Sequence, residues 1–255
     1  MRVKTAILFI SIVGLCLFSS ICLAGTYSGG DGTTENPYQI SDVNDFLELS
    51  ATSSDWSNYF ILTADIDLSG LTYSHAAIAW DTHYDDGFQG IPFTGVFNGN
   101  EHIIRNFKND VQWGSDYHGL FGRIEGSSAA INNLGLEDVY IKGKYGYQFY
   151  GGLCGENRLG SISNCYVTGR VGGSIYTGGL CGSNSGGQIN NCYSTAIVTA
   201  RIYTGGLCGY NGESGGISHC YSNASVSGGD YVGGLCGMNS SSTITNCYSM
   251  GSVTS

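Results

Sequence analysis

Eight cysteines are the residues of this chain whose type and spacing could most readily do chemistry. Cys154, Cys181, Cys208 and Cys236 each sit in a GGLCG string, and Cys165, Cys192, Cys220 and Cys247 follow them by 11 or 12 residues. Thiols at this spacing can pair within one repeat, pair along a stack of repeats, or stay reduced as small core residues. All three states remain open from the spacing. A metal site is not expected, since there is no CxxC and no paired histidine. The glycines of the strings are no phosphate cradle either, because no Lys-Ser/Thr follows them.

A second candidate is the polar stretch from Ser74 to Gly90, which holds His75, Asp81, His83, Asp85 and Asp86. Clustered carboxylates and imidazoles can move protons or hold a cation. Asp81 to Gly87 superficially resembles a calcium loop, but its glycine falls one place late and Pro92 stands where an acid is needed. Asp85-Asp86, His118-Gly119 and Arg123-Ile124-Glu125 imitate three of the four polygalacturonase elements. The Asn-Thr-Asp element is missing, a glutamate replaces the lysine, and the last two elements share one coil. No catalytic residue is therefore assigned.

The elements that carry these residues repeat. Leu153, Leu180, Leu207 and Leu235 mark a period of 27 or 28 residues. Ile162, Ile189, Ile217 and Ile244 form a second apolar column, and Val171, Val198, Val226 and Val253 a third. A repeat of this length cannot bury its apolar face alone, so its neighbours must supply the core. Three columns predict three short strands per coil in an all-β parallel β-helix, a solenoid with rungs ~4.8 Å apart. A degenerate copy begins at His118, with Phe121 and Leu134 in the two cysteine columns, which predicts buried positions for the thiols. Asn157, Asn184, Asn211 and Asn239 form a polar column, and Asn164, Asn191, His219 and Asn246 another; both predict hydrogen-bonded ladders.

Two aromatic columns complete the pattern. Tyr166, Tyr193, Tyr221 and Tyr248 form one, a candidate binding surface for a sugar polymer; Phe149, Tyr176, Tyr203 and Tyr231 form the other. Their plainer role is to shield a backbone thinned by glycine and to stabilise the stack.

The strings YTGGLCGSN…INNCYSTAIV and YVGGLCGMN…ITNCYSMGSV resemble the GLUG repeat, named for its Gly-Leu-x-Gly core. ENPYQISDVNDFLELS, YFILTADIDLSG and FTGVFNGNEHIIRNF are similar to segments that usually precede such repeats. The resemblance implies an exported bacterial protein with a right-handed parallel β-helix. GLUG repeats also accompany immunoglobulin A metallopeptidases, but this chain has no HExxH.

Arg2, Lys4, the apolar run to Phe18 and Cys22-Leu23-Ala24 read as a signal peptide over residues 1–24. A cap segment with a short helix at 42–50, capped by Ser41, is expected in 25–58, irregular β-helix coils in 59–144, and four GLUG repeats in 145–255. After cleavage, 8 basic and 20 acidic residues leave a formal charge near −12, against nucleic acid as a partner. No membrane span is expected after the leader, and no cofactor. The reading is a secreted or cell-surface scaffold that binds a glycan or other surface polymer without turning it over. Its alternatives are a polysaccharide lyase or hydrolase on the same architecture, and the repeat portion of a larger surface protein.

Overall fold

A residue type that recurs every 27 or 28 positions returns to the same column only if each coil stacks in register on the last. The computed structural model describes residues 26–83, 87–111 and 115–255, so the expected leader at 1–24 and the pair Asp85-Asp86 lie outside the described residues. Within them the chain winds as a parallel β-solenoid with a single α-helix.

Four sheets run along the stack, one more than the three apolar columns predict. The first, here the isoleucine sheet, has eight strands from Tyr38–Ile40 to Thr243–Thr245. Its inward column is Tyr38, Phe60, Phe97, Ile131, Ile162, Ile189, Ile217 and Ile244, in parallel register throughout. All but the last are buried. Each such side chain contributes about 1.5–3 kcal/mol by leaving water, so this column is a main source of stability.

The extra sheet arises because each GGLCG string bends the chain. Strands such as Ile202–Gly205 form a four-stranded glycine sheet, and Cys208–Gly212 and its equivalents form a five-stranded cysteine sheet. Only Gly206-Leu207 separates the two strands. At this corner a Cβ on Gly205 would lie 1.9 Å from the Cys208 carbonyl oxygen, and the same position in other coils is as tight, 2.1 Å at Gly151 and Gly178. The first glycine of the string is therefore a packing requirement. The fourth sheet, the valine sheet, contains Gly135–Lys142 and Tyr166–Gly172, and in later coils each long strand splits in two, as at Tyr193–Ser194 and Ile197–Thr199.

The helix, Val43–Ala51, is capped by Asp42, whose carboxylate accepts the N–H groups of Asn44 and Asp45. The expected cap, Ser41, instead donates its N–H and hydroxyl to Asp45 at 2.7 and 2.9 Å. Two residues thus satisfy the helix start in place of one. Phe46 and Leu49 on its inner face join the core of Ile40 and Phe60, and Trp56 Nε1 donates to the Leu49 carbonyl at 2.8 Å.

The buried asparagine column forms as expected. Asn157 Nδ2 donates to Asn184 Oδ1, Asn184 to Asn211 and Asn211 to Asn239, at 2.8, 2.8 and 2.7 Å. The other column has a backbone cause: Asn133, Asn164, Asn191, His219 and Asn246 all have φ near +52° or +53°. Asparagine and histidine enter this left-handed region more readily than most side chains, which accounts for the residue types found there.

Candidate functional site

Among the described residues all eight cysteines are free thiols. Cys154, Cys181, Cys208 and Cys236 are register partners, with the first two sulfurs 3.5 Å apart. In the other column the N–H groups of Cys165, Cys192 and Cys220 each donate to the sulfur one coil on, at 3.4 Å. Phe121 is the register partner of Cys154, so a large side chain in the irregular coil fills the space that thiols fill later. Burial pushes the Cys181 and Cys192 thiols well above their ordinary range, which disfavours the thiolate that would attack or ligate. The described residues contain no group of three or more His, Cys, Asp or Glu arranged to hold a metal.

The polar excursion uses its described side chains on local structure. Asp81 Oδ1 accepts the N–H groups of Thr82 and Gln89 at 2.9 and 2.8 Å, and Oδ2 accepts that of Asp116 at 3.3 Å. His75 contacts the Ala76 carbonyl at 2.7 Å and tilts its ring against Trp80, whereas His83 Nδ1 lies 3.3 Å from the Thr82 hydroxyl. These three residues do not converge on one point.

The other residues that imitate a polygalacturonase are also occupied. His118 is buried, donates from Nε2 to the Ser115 carbonyl at 2.8 Å and stacks on Tyr150 at 4.8 Å. Burial pushes its pKa down to about 4, so it is neutral at pH 7. Arg123 Nε lies 3.2 Å from Glu156 and 3.3 Å from Glu125, and its guanidinium is 5.1 Å from the Phe88 ring centre. Burial raises the Glu156 carboxyl pKa and the Arg123 charge opposes the rise. This is a buried ion pair between adjacent rungs, with both carboxylates held by one cation.

The repeats also bring an aromatic column to the surface. Tyr166, Tyr193, Tyr221 and Tyr248 lie in register on the valine sheet, with ring centres 4.9, 4.7 and 5.2 Å apart and planes within 5°. Tyr193 and Tyr221 therefore have a ring against each face, and Tyr166 and Tyr248 a ring against one. Sugar stacking on those faces does not fit this packing; the column offers ring edges and a row of phenol hydroxyls. Only Tyr166 has its hydroxyl engaged by another described side chain, donating to Glu137 at 2.8 Å. Tyr248, in the last coil, is 52% exposed.

The second ladder is one residue longer than its spacing suggests, because Tyr117 stacks on Phe149 at 4.5 Å. Phe149, Tyr176, Tyr203 and Tyr231 continue it at 4.8–5.1 Å. All five have φ between +48° and +63°. An aromatic side chain in the left-handed region costs on the order of 1–3 kcal/mol, which each stacked pair offsets by about 0.5–1.5 kcal/mol. Side-chain spacing gives no sign of this backbone strain.

A family model described as the GLUG motif matches residues 150–172 and 173–199. Halomucin of Haloquadratum walsbyi is 31% identical over 160 residues, 60% of this chain and 2% of that protein. A chain described as a Gly-rich membrane protein, from Evansella cellulosilytica, is 33% identical over 150 residues, 56% of this chain and 16% of its own length. The chain thus spans a small fraction of either relative. Among solved structures, a crystal structure described as an immunoglobulin A1 protease from Bacteroides ovatus superposes with a TM-score of 0.60 at 21% identity, covering 87% of this chain and 77% of that one. A second IgA1 protease chain superposes at 0.55 with 12% identity, covering 84% of this chain and 19% of that one. At these identities the likeness is one of fold. No helix among the described residues is long and apolar enough to cross a membrane.

Proposed function

We propose, from the premise that this chain is a GLUG-repeat solenoid, that it is an exported, non-enzymatic scaffold that displays a stacked tyrosine face to an extended polysaccharide at the cell surface. The observation that carries this reading is the in-register row of hydroxyls on Tyr193, Tyr221 and Tyr248, beyond the one that Glu137 engages. A polymer with its own regular row of hydroxyls can bond to such a row rung after rung, and stacked rings lose little freedom on binding. The use of Asp81, Asp116 and Glu156 in backbone bonds and an ion pair supports the non-enzymatic part, because acid–base chemistry needs carboxylates aimed at a substrate.

The test is affinity electrophoresis through gels containing individual polysaccharides, comparing the parent with a variant carrying Tyr193→Phe, Tyr221→Phe and Tyr248→Phe. The rings and their stacking remain, and three hydroxyls go. At about 0.5–1.5 kcal/mol per lost hydrogen bond, retardation should weaken by about tenfold or more while melting hardly moves. Equal retardation of parent and variant would remove the hydroxyl row from the account.

A further inference from the structure

Charge is spread unevenly over the valine sheet. Lys108, Tyr140, Arg170, Ile197 and Ser225 are successive register partners along one column. Lys108 and Arg170 are exposed, Tyr140 is 41% exposed between them, and among the described residues neither cation is in an ion pair. Two rungs separate the cations, a rise of about 9–10 Å. The column follows a shallow groove. Its central part, about 340 Å³, is lined by Tyr140, Lys142, Arg170 and Ile197 among others. One neighbouring depression, lined by Lys108 and Asp138, shares Tyr140 with it, and another, lined by Tyr145 and Arg201, shares Gly173 and Thr199. Arg201 lies 5.0 Å from the Tyr145 ring centre and donates to its hydroxyl at 3.0 Å.

Four of the eight basic residues after residue 24 thus line one groove of a chain that is acidic overall. Two carboxylates stand nearby: Asp110, 3.3 Å from Lys142, and Asp138 at the Lys108 end. Neither forms an ion pair with Lys108 or Arg170 among the described residues.

The geometry points to this groove as a binding site for an acidic polysaccharide whose negative charge falls on alternate sugars. Cations two rungs apart match a charge on every second sugar, and Tyr140 between them meets the neutral sugar. The net negative charge elsewhere opposes loose adsorption of polyanions, so binding depends on this local match. The site is a different column from the tyrosine ladder and stands or falls apart from it.

The experiment is a fluorescence binding titration of the full chain at low and at physiological salt. Its probes are hyaluronan, the same polymer with its carboxyls reduced, and a single-stranded oligonucleotide of matched charge. Hyaluronan should bind, the reduced polymer and the oligonucleotide at least about tenfold more weakly, and added salt should weaken the hyaluronan complex. Lys108→Glu with Arg170→Glu should weaken it by about tenfold or more, and Tyr140→Ala should weaken it at both salts. Arg158→Glu, outside the groove, should leave it unchanged, with melting curves confirming that each variant is folded. No binding of hyaluronan at low salt, equal binding of the oligonucleotide, or equal loss in the Arg158 variant would overturn the assignment.

Discussion

Gly205→Ala should be among the most damaging single changes in the repeats, although it adds one methyl group. The new Cβ would lie 1.9 Å from the Cys208 carbonyl oxygen and 2.7 Å from the Gly237 nitrogen. Both are backbone atoms, so no side chain can swing away, and the corner between the glycine and cysteine sheets must open. The expected loss is on the order of 4 kcal/mol or more, at the severe end for a point change. The comparison is Gly172→Ala, whose Cβ would meet its nearest neighbour at 3.3 Å and should cost no more than about 1 kcal/mol. Urea unfolding of both variants measures the difference. Equal stabilities would mean that the corner is not built as described.

The second large effect is expected at the asparagine ladder. Asn184 is fully buried, accepts from Asn157 at 2.8 Å, and donates both to Asn211 at 2.8 Å and to the Gly187 carbonyl at 2.9 Å. Asn184→Ala leaves those groups short of a partner in a place water reaches poorly. Unsatisfied buried polar groups cost about 1–3 kcal/mol each, so a loss of about 3 kcal/mol is expected, by the same unfolding measurement. Asn239→Ala is the contrast: that residue lies in the partly exposed last coil, where water can replace the lost bonds, and about 1 kcal/mol is expected. A ladder that contributed only shape would show the same loss at both sites.

These contrasts show what periodicity can carry. The isoleucine column, the asparagine ladder and the exchange of Phe121 for a cysteine are legible because each depends on one residue type returning to one column. The glycine sheet is not, since it comes from a backbone bend over glycine and adds no apolar column. The left-handed backbone beneath Tyr176 and Tyr203 is equally silent, because nothing in a tyrosine's identity reports its φ. Packing also changes the meaning of the Tyr166 to Tyr248 column. Its spacing suggests rings open to sugars, and stacking at 4.7–5.2 Å turns those rings edge-on.

The cationic column is hidden for another reason. Lys108 and Tyr140 belong to coils that do not keep the repeat length, and the register shifts at Val167 and Gly169 just before Arg170. Counting in steps of 27 does not bring them together; the sheet does. The polar excursion shows the opposite failure, with acids and histidines close in sequence that the described structure turns to separate backbone partners.

The central claim is that the solenoid holds a polysaccharide and leaves it intact. Its most direct test is prolonged incubation of the full chain with the polysaccharides that retard it, following bound fraction and polymer length together by size-exclusion chromatography with light scattering. The account predicts a stable complex with a polymer of unchanged mass. Shortening of the polymer, with new reducing or unsaturated ends, would contradict it and identify the chain as an enzyme.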